Sequence, residues 1–172
     1  MHQQAERGES RQNVRVFVAL VDLRSAHNVG AVFRTADGAG TAGIFLVGTA
    51  PAPIDRFGRA QPDIAKTALG AEKTVPWTYH ETVEVFLEAV QKEGLQMVVV
   101  EQDSRAVEYK TFSPTRDTVL VFGNEVDGVS AEMRDVAEHI IEIPMRGQKE
   151  SLNVSVAAGV VLFRLLEGWR SV

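Results

Sequence analysis

An α/β domain, with a mostly parallel sheet flanked by helices, is the fold class that this sequence predicts, on three observations. Short runs rich in Val, Ile, Leu and Phe recur along the chain, apolar enough to be buried on both faces of a sheet. Stretches of helical composition separate these runs, and strands that alternate with helices form parallel crossovers. The chain has 172 residues, which fits one domain with a proper core. Residues 1–14 are polar and mixed in charge and read as a flexible N-terminal tail; residues 15–172 read as a single domain.

The first strand is expected over Val14–Leu23 (VRVFVALVDL), followed by a helix over Val29–Ala39 for which Asn28 is a suitable cap. Gly38–Gly43 spells G-x-G-x-x-G, but here a helix precedes the glycines and a strand follows. A dinucleotide-binding loop needs the opposite order, so these glycines are expected to end the helix and turn the chain. The second strand is Ile44–Gly48. Thr49–Pro76, which holds four of the six prolines, reads as a long connection of the kind that often carries function. A helix follows over Glu81–Glu93, with Val85, Phe86, Ala89 and Val90 expected on its apolar face. Leu95–Val100, Val119–Gly123 and Ile140–Ile143 are further strands, with a helix at Ser130–Ala137. The last helix, Leu152–Glu167, is apolar on all sides and needs a second burial surface, for which a subunit interface is the natural choice. Parallel sheets bind ligands at the carboxyl ends of their strands, which directs attention to the loops after Leu23, Val100, Phe122 and Ile143.

Composition narrows the chemistry. There is no cysteine, which excludes disulfides, thiolate-bound metals and thiol nucleophiles. The four histidines are scattered without ligand spacing, so no metal site is expected. The N-terminus lacks an apolar signal core, and no apolar run approaches the ~20 residues that span a bilayer. A cytoplasmic, membrane-free protein is the expectation. The net charge is −5, with the acidic excess between residues 76 and 138 and slightly basic chain ends. That balance disfavours nucleic acid binding by the whole surface but leaves room for a local basic face.

Three segments concentrate residues with chemical potential. Asn28-Val29-Gly30-Ala31-Val32-Phe33-Arg34 follows the first strand, and Gly30 permits close approach of a ligand or another chain, with Arg34 one turn beyond on the same face. Gly123-Asn124-Glu125-Val126-Asp127-Gly128-Val129-Ser130 closes another strand. Ile143-Pro144-Met145-Arg146-Gly147 and then Ser151-Leu152-Asn153-Val154-Ser155 lead into the last helix, where Ser151 alone would read as an N-cap.

Taken in this order, N-x-G-x3-R, G-N-E-x-x-G-V-S and I-P-M-x-G with S-L-N-V-S-V-A resemble the three motifs of the SpoU-type (TrmH-like) branch of the SPOUT RNA methyltransferases. The resemblance runs from about Val16 to Leu166. It implies a C-terminal deep trefoil knot, S-adenosyl-L-methionine as cofactor, a homodimer, and methyl transfer to a ribose 2′-hydroxyl in RNA. It also implies Asn28, Arg34, Glu125, Ser151 and Asn153 as the catalytic set. Cofactor binding falls to Val100, Glu101, Gln102, Gly123, Asn124, Glu125, Gly128, Ile143, Pro144, Met145, Ser151 and Leu152.

An arginine stays protonated near neutral pH, so Arg34 is expected to act as an electrostatic clamp on phosphate and developing alkoxide, with Glu125 buttressing it. His27, beside Asn28, is read as a loop histidine rather than a base. RNA contacts are expected from Arg24, Arg56, Arg59, Lys66, Arg146 and Lys149, with Arg7 and Arg11 further candidates. Transfer RNA is favoured over ribosomal RNA on Val100-Glu101-Gln102 and on a compact size that resembles some tRNA-acting members of the family. Two alternatives stay open: methylation of a base nitrogen, or a non-catalytic RNA-binding module.

Overall fold

A computed structural model describes residues 14–167. The reading of residues 1–13 as a tail, with Arg7 and Arg11, lies outside the described residues. Among these residues are seven strands and six helices. In chain order they are β1 (Val16–Val21), α1 (Ala26–Ala39), β2 (Gly43–Val47), α2 (Pro62–Ala68), α3 (Ala71–Thr74), β3 (Trp77–His80) and α4 (Val83–Lys92). They continue with β4 (Gln96–Val100), β5 (Val107–Glu108), β6 (Thr118–Phe122), α5 (Ala131–Val136), β7 (His139–Glu142) and α6 (Val154–Leu165).

The strands form one sheet in the order β3-β2-β1-β6-β4-β7-β5, and every described pairing is parallel. Side chains alternate across it. Val16, Val18, Leu20, Val98, Leu120 and Phe122 enter a core shared with α1, α2 and α6. Ala19, Val21, Met97, Val99, Val119 and Val121 enter the opposite core, against Phe86 and Val90 of α4 and Met133 of α5. Central strands buried on both faces explain why they read as continuous apolar runs.

Several local expectations are corrected. Helix α1 begins three residues before the expected start because Ser25, not Asn28, is its cap; the Ser25 hydroxyl accepts from the Asn28 amide at 3.2 Å. Asn153, not Ser151, caps α6, its side chain accepting from the Ser155 amide at 2.9 Å. Val85 points to solvent, 47% exposed, because the buried stripe of α4 runs through Phe86 and Val90. The Thr49–Pro76 connection contains α2 and α3. Gly40, at φ 77°, ends α1 as the reversed glycine motif requires, and β2 begins at Gly43.

Gly30 is the close approach within α1, and its neighbour is α2 of the same chain. A Cβ there would lie 2.0 Å from the Thr67 hydroxyl and 2.4 Å from the Ile64 carbonyl oxygen. The same Thr67 hydroxyl donates to the His27 carbonyl at 3.0 Å, tying α2 to the start of α1. Beyond β1, Asp22 adopts φ 53°, and its carboxylate accepts from the Thr49 amide at 2.9 Å. That bond fastens the loops after β1 and β2 to each other, at the edge where the strands end.

Candidate active site

The loops after β4, β6 and β7 and the start of α6 surround a cavity of about 430 Å³. Its walls include Val100, Phe122, Ile143, Met145, Leu152, Val154 and Ala157. Polar groups come from Gln102, Asn124, Ser151 and Asn153 and from the carboxylates of Glu101, Glu125, Asp127 and Glu142. Among the described residues, no Lys or Arg lines it. Such a lining favours a ligand with an apolar ring and positive charge, and disfavours one carrying phosphates, which need cationic or amide-rich cradles.

The β6–α5 loop is built to one shape. The Asn124 side-chain oxygen accepts from the amides of Val126 (2.8 Å) and Asp127 (2.7 Å), an Asx turn. Gly128 completes it at φ 66°, and the Glu101 carboxylate accepts from the Val129 amide at 3.0 Å. Glu101 therefore joins the end of β4 to the loop after β6. Gly123 is required by packing: a Cβ would fall 2.1 Å from the Gly128 carbonyl carbon.

A hydrogen-bonded chain runs from α6 across to α1 and into this loop. The Ser155 hydroxyl donates to the Asn153 oxygen at 2.6 Å, and the Asn153 amide donates to the Asn28 oxygen at 3.2 Å. The Asn28 amide in turn donates to Glu125 at 3.1 Å. The backbone amides of Arg24 (3.3 Å) and Ser25 (3.4 Å) also donate to Glu125. Burial by itself would raise the Glu125 carboxyl, but the Asn28 side chain, its own amide and these two amides outweigh that and hold it below the usual value.

Of the residues expected to bind cofactor, all but Pro144 line the cavity; Pro144 sits between the lining residues Ile143 and Met145. Of the expected catalytic set, Glu125, Ser151 and Asn153 line it, and Asn28 reaches it through Glu125 and Asn153. Arg34 stands apart, exposed on α1 and outside the cavity lining. The expectation that Glu125 buttresses Arg34 is therefore corrected: its partners are Asn28 and two backbone amides. Helical geometry explains this, since Arg34 lies six residues beyond Asn28, roughly 9 Å along the axis and on another side of the helix.

His27 is exposed, with its Nε2 3.7 Å from Asp63, and faces α2. Residues the sequence reading left without a role include Ser155, Ser25 and the wall residues Phe122, Val154 and Ala157. Ser155 was legible as the second serine of S-L-N-V-S, whereas the wall residues look like any core side chain. The expected RNA contacts Arg24, Arg56, Arg59, Lys66, Arg146 and Lys149 are all exposed. All but Lys66, which lies on α2, are in loops that follow β1, β2 or β7.

Fold and cavity together define a ligand-binding parallel α/β domain with its site at the carboxyl edge of the sheet. The chain belongs to the SpoU rRNA Methylase family, whose model matches residues 15–163. It is 33% identical over 160 residues to a 23S rRNA (guanosine-2′-O-)-methyltransferase RlmB of Pseudomonas aeruginosa, covering 92% of this chain and 61% of that relative. It is 30% identical to a tRNA (guanosine(18)-2′-O)-methyltransferase of Escherichia coli, over 85% of this chain and 60% of that one. The crystal structure of an AdoMet-bound rRNA methyltransferase from Sinorhizobium meliloti is 30% identical, with a TM-score of 0.84, over 94% of this chain and 59% of that one. The chain thus spans about three-fifths of the length of the curated relatives it matches. Among the described residues, no helix is long and apolar enough to cross a membrane and no group of side chains could hold a metal ion.

Proposed function

We propose that this chain carries an S-adenosyl-L-methionine-dependent RNA methyltransferase activity directed at a ribose 2′-hydroxyl, working as a homodimer on cytoplasmic RNA. The observation that carries the reading is the cavity itself, acid-lined and, among the described residues, without Lys or Arg, beside the Asn153–Asn28–Glu125 chain. The residues present fit the cofactor. Val100, Ile143, Leu152 and Ala157 offer apolar surface to a purine, and the surrounding carboxylates suit a sulfonium and an ammonium group. When bound, the cofactor supplies an electrophilic methyl group. The knotted threading of the C-terminal segment belongs to the same reading. It is supported by a chain that passes from β6 beyond β4 to β7 and then packs α6 against α1.

The chain's own residues do the remaining work. Glu125 is held ionised by its donors, too acidic for an efficient base near neutral pH, and serves to orient Asn28. Asn28 and Asn153 present amides at the junction of cavity and α1. Among the described residues no His or Lys lines the cavity, and the acceptor's hydroxyl proton passes to water. Arg34, outside the cavity, clamps the neighbouring phosphate and stabilises charge developing on the acceptor oxygen. Transfer RNA is the first acceptor to test, with ribosomal RNA beside it because the named relatives divide between the two.

The test is transfer of a labelled methyl group from S-adenosylmethionine to unmodified tRNA and rRNA pools, followed by nucleoside mass spectrometry. A 2′-O-methylnucleoside is expected, abolished in Arg34→Ala and largely kept in Arg34→Lys. A base-methylated product, or cofactor binding with no transfer to any pool, would overturn the ribose assignment.

A further inference from the structure

The connection from β2 to α2 carries a turn that nothing in the cavity requires. Ile54 and Ala60 form an antiparallel bridge at its base. Asp55 then organises everything between them: its Oδ1 accepts from the amides of Phe57 (2.8 Å) and Arg59 (3.0 Å), and its Oδ2 takes the Arg59 guanidinium at 2.8 Å. Gly58, at φ 77°, completes the reversal. At the tip of this pinned turn stands Phe57, 67% exposed. The guanidinium carbons of Arg56 and Arg59 lie 4.8 and 5.0 Å from its ring centre.

We infer that this turn is a nucleotide-stacking site for single-stranded RNA, with Phe57 as the platform and Arg56 as the phosphate contact. The inference rests on the RNA reading above and deepens it by naming how the acceptor strand is held. Phe57 leaves most of its ring open to water, with two guanidinium groups beside it. A nucleobase stacks on such a ring whatever its sequence, because every base offers a π-face.

The two arginines differ in freedom. Arg59 is neutralised and fixed by Asp55, whereas Arg56 makes no ion pair or hydrogen bond among the described residues and can swing from ring to phosphate. Location fits as well. β2 neighbours β1, and β1 neighbours β6, so the connection that carries the turn leaves the sheet at the carboxyl ends of its strands, two strands along from the β6 loop at the cavity. A base held there would fix a nucleotide near the one presented to the cavity, as single-stranded recognition by splayed bases requires.

The experiment uses the full chain and two readouts: methyl-transfer kinetics on whichever RNA pool accepts label, and fluorescence of a short single-stranded RNA carrying 2-aminopurine. Phe57→Ala should raise KM by about five- to 100-fold with kcat little changed, and should abolish the quenching of 2-aminopurine. Phe57→Tyr should restore both. Arg56→Ala should lower the slope of log affinity against log salt by about 0.7. Unchanged KM and quenching in Phe57→Ala would overturn the stacking site. So would a Phe57→Ala defect confined to self-association or protein binding, with RNA affinity intact. Phe57-dependent quenching by a protein that neither binds S-adenosylmethionine nor methylates any pool would sustain the stacking site and sink the methyltransferase reading.

Discussion

Gly123 and Asn28 show how little latitude single positions have at this site. Gly123→Ala would drive a Cβ into the Gly128–Val129 backbone, which no rotamer change can relieve. We expect a stability loss of about 1–3 kcal/mol by thermal or denaturant unfolding, with cofactor affinity falling at least tenfold in a calorimetric titration. Asn28→Asp keeps the shape but turns the donor that faces Glu125 across 3.1 Å into a second carboxylate. Turnover should fall by about tenfold or more while cofactor affinity stays near wild type, because Asn28 sits beside the cavity rather than in its wall. For Glu125 the pH dependence follows from its lowered carboxyl. The folded form releases its proton more readily than the unfolded chain, so the stabilisation is complete above the usual glutamate value of 4.5 and is lost as pH falls through the lower folded value. Melting temperatures of wild type and Glu125→Gln should therefore differ by a constant amount at neutral pH and converge in acid. Asn28 and Glu125 were both legible in the sequence as motif members, but their hydrogen bond was not, since it joins residues 97 positions apart.

At the scale of elements, the apolar runs were readable because central strands are buried on both faces, and the missed strands are the ones that are not. β3 (WTYH) is half exposed at one edge of the sheet, and β5 has only two residues at the other. The sequence of α6 reads as too apolar for one burial surface. Ala158, Val161, Leu162 and Leu165 pack inward, while Val156 and Phe163 remain 50% and 56% exposed. If those two residues meet a second copy, Val156→Glu and Phe163→Glu should convert a dimer to monomer in sedimentation equilibrium, with the melting temperature of the remaining monomer little altered. A sedimentation profile identical to wild type would place the subunit interface elsewhere. Helix α1 against α2 is the tighter junction, and Gly30→Ala would force them apart at the Thr67 hydroxyl and the Ile64 carbonyl.

For the whole molecule, the decisive feature is that parallel strands all end on one edge. Loops after β1, β2, β4, β6 and β7 gather there, which brings cavity, hydrogen-bonded chain and exposed arginines into one region although the net charge is −5. RNA affinity should therefore drop steeply with salt, and removing Arg146 or Lys149 should shallow that dependence without changing which nucleotide is modified; filter binding across a salt series checks it. By itself the sequence determined the fold class, most of the strands, the end of α1 at its glycines and the three motifs, because burial periodicity and backbone-demanding residues are local signals. Only the tertiary structure decided that Glu125 serves Asn28 rather than Arg34, and that the connection bearing the Phe57 turn leaves the sheet at the same strand ends as the cavity loops. Those relations depend on which strands lie side by side, and strand order is fixed by packing the whole core at once.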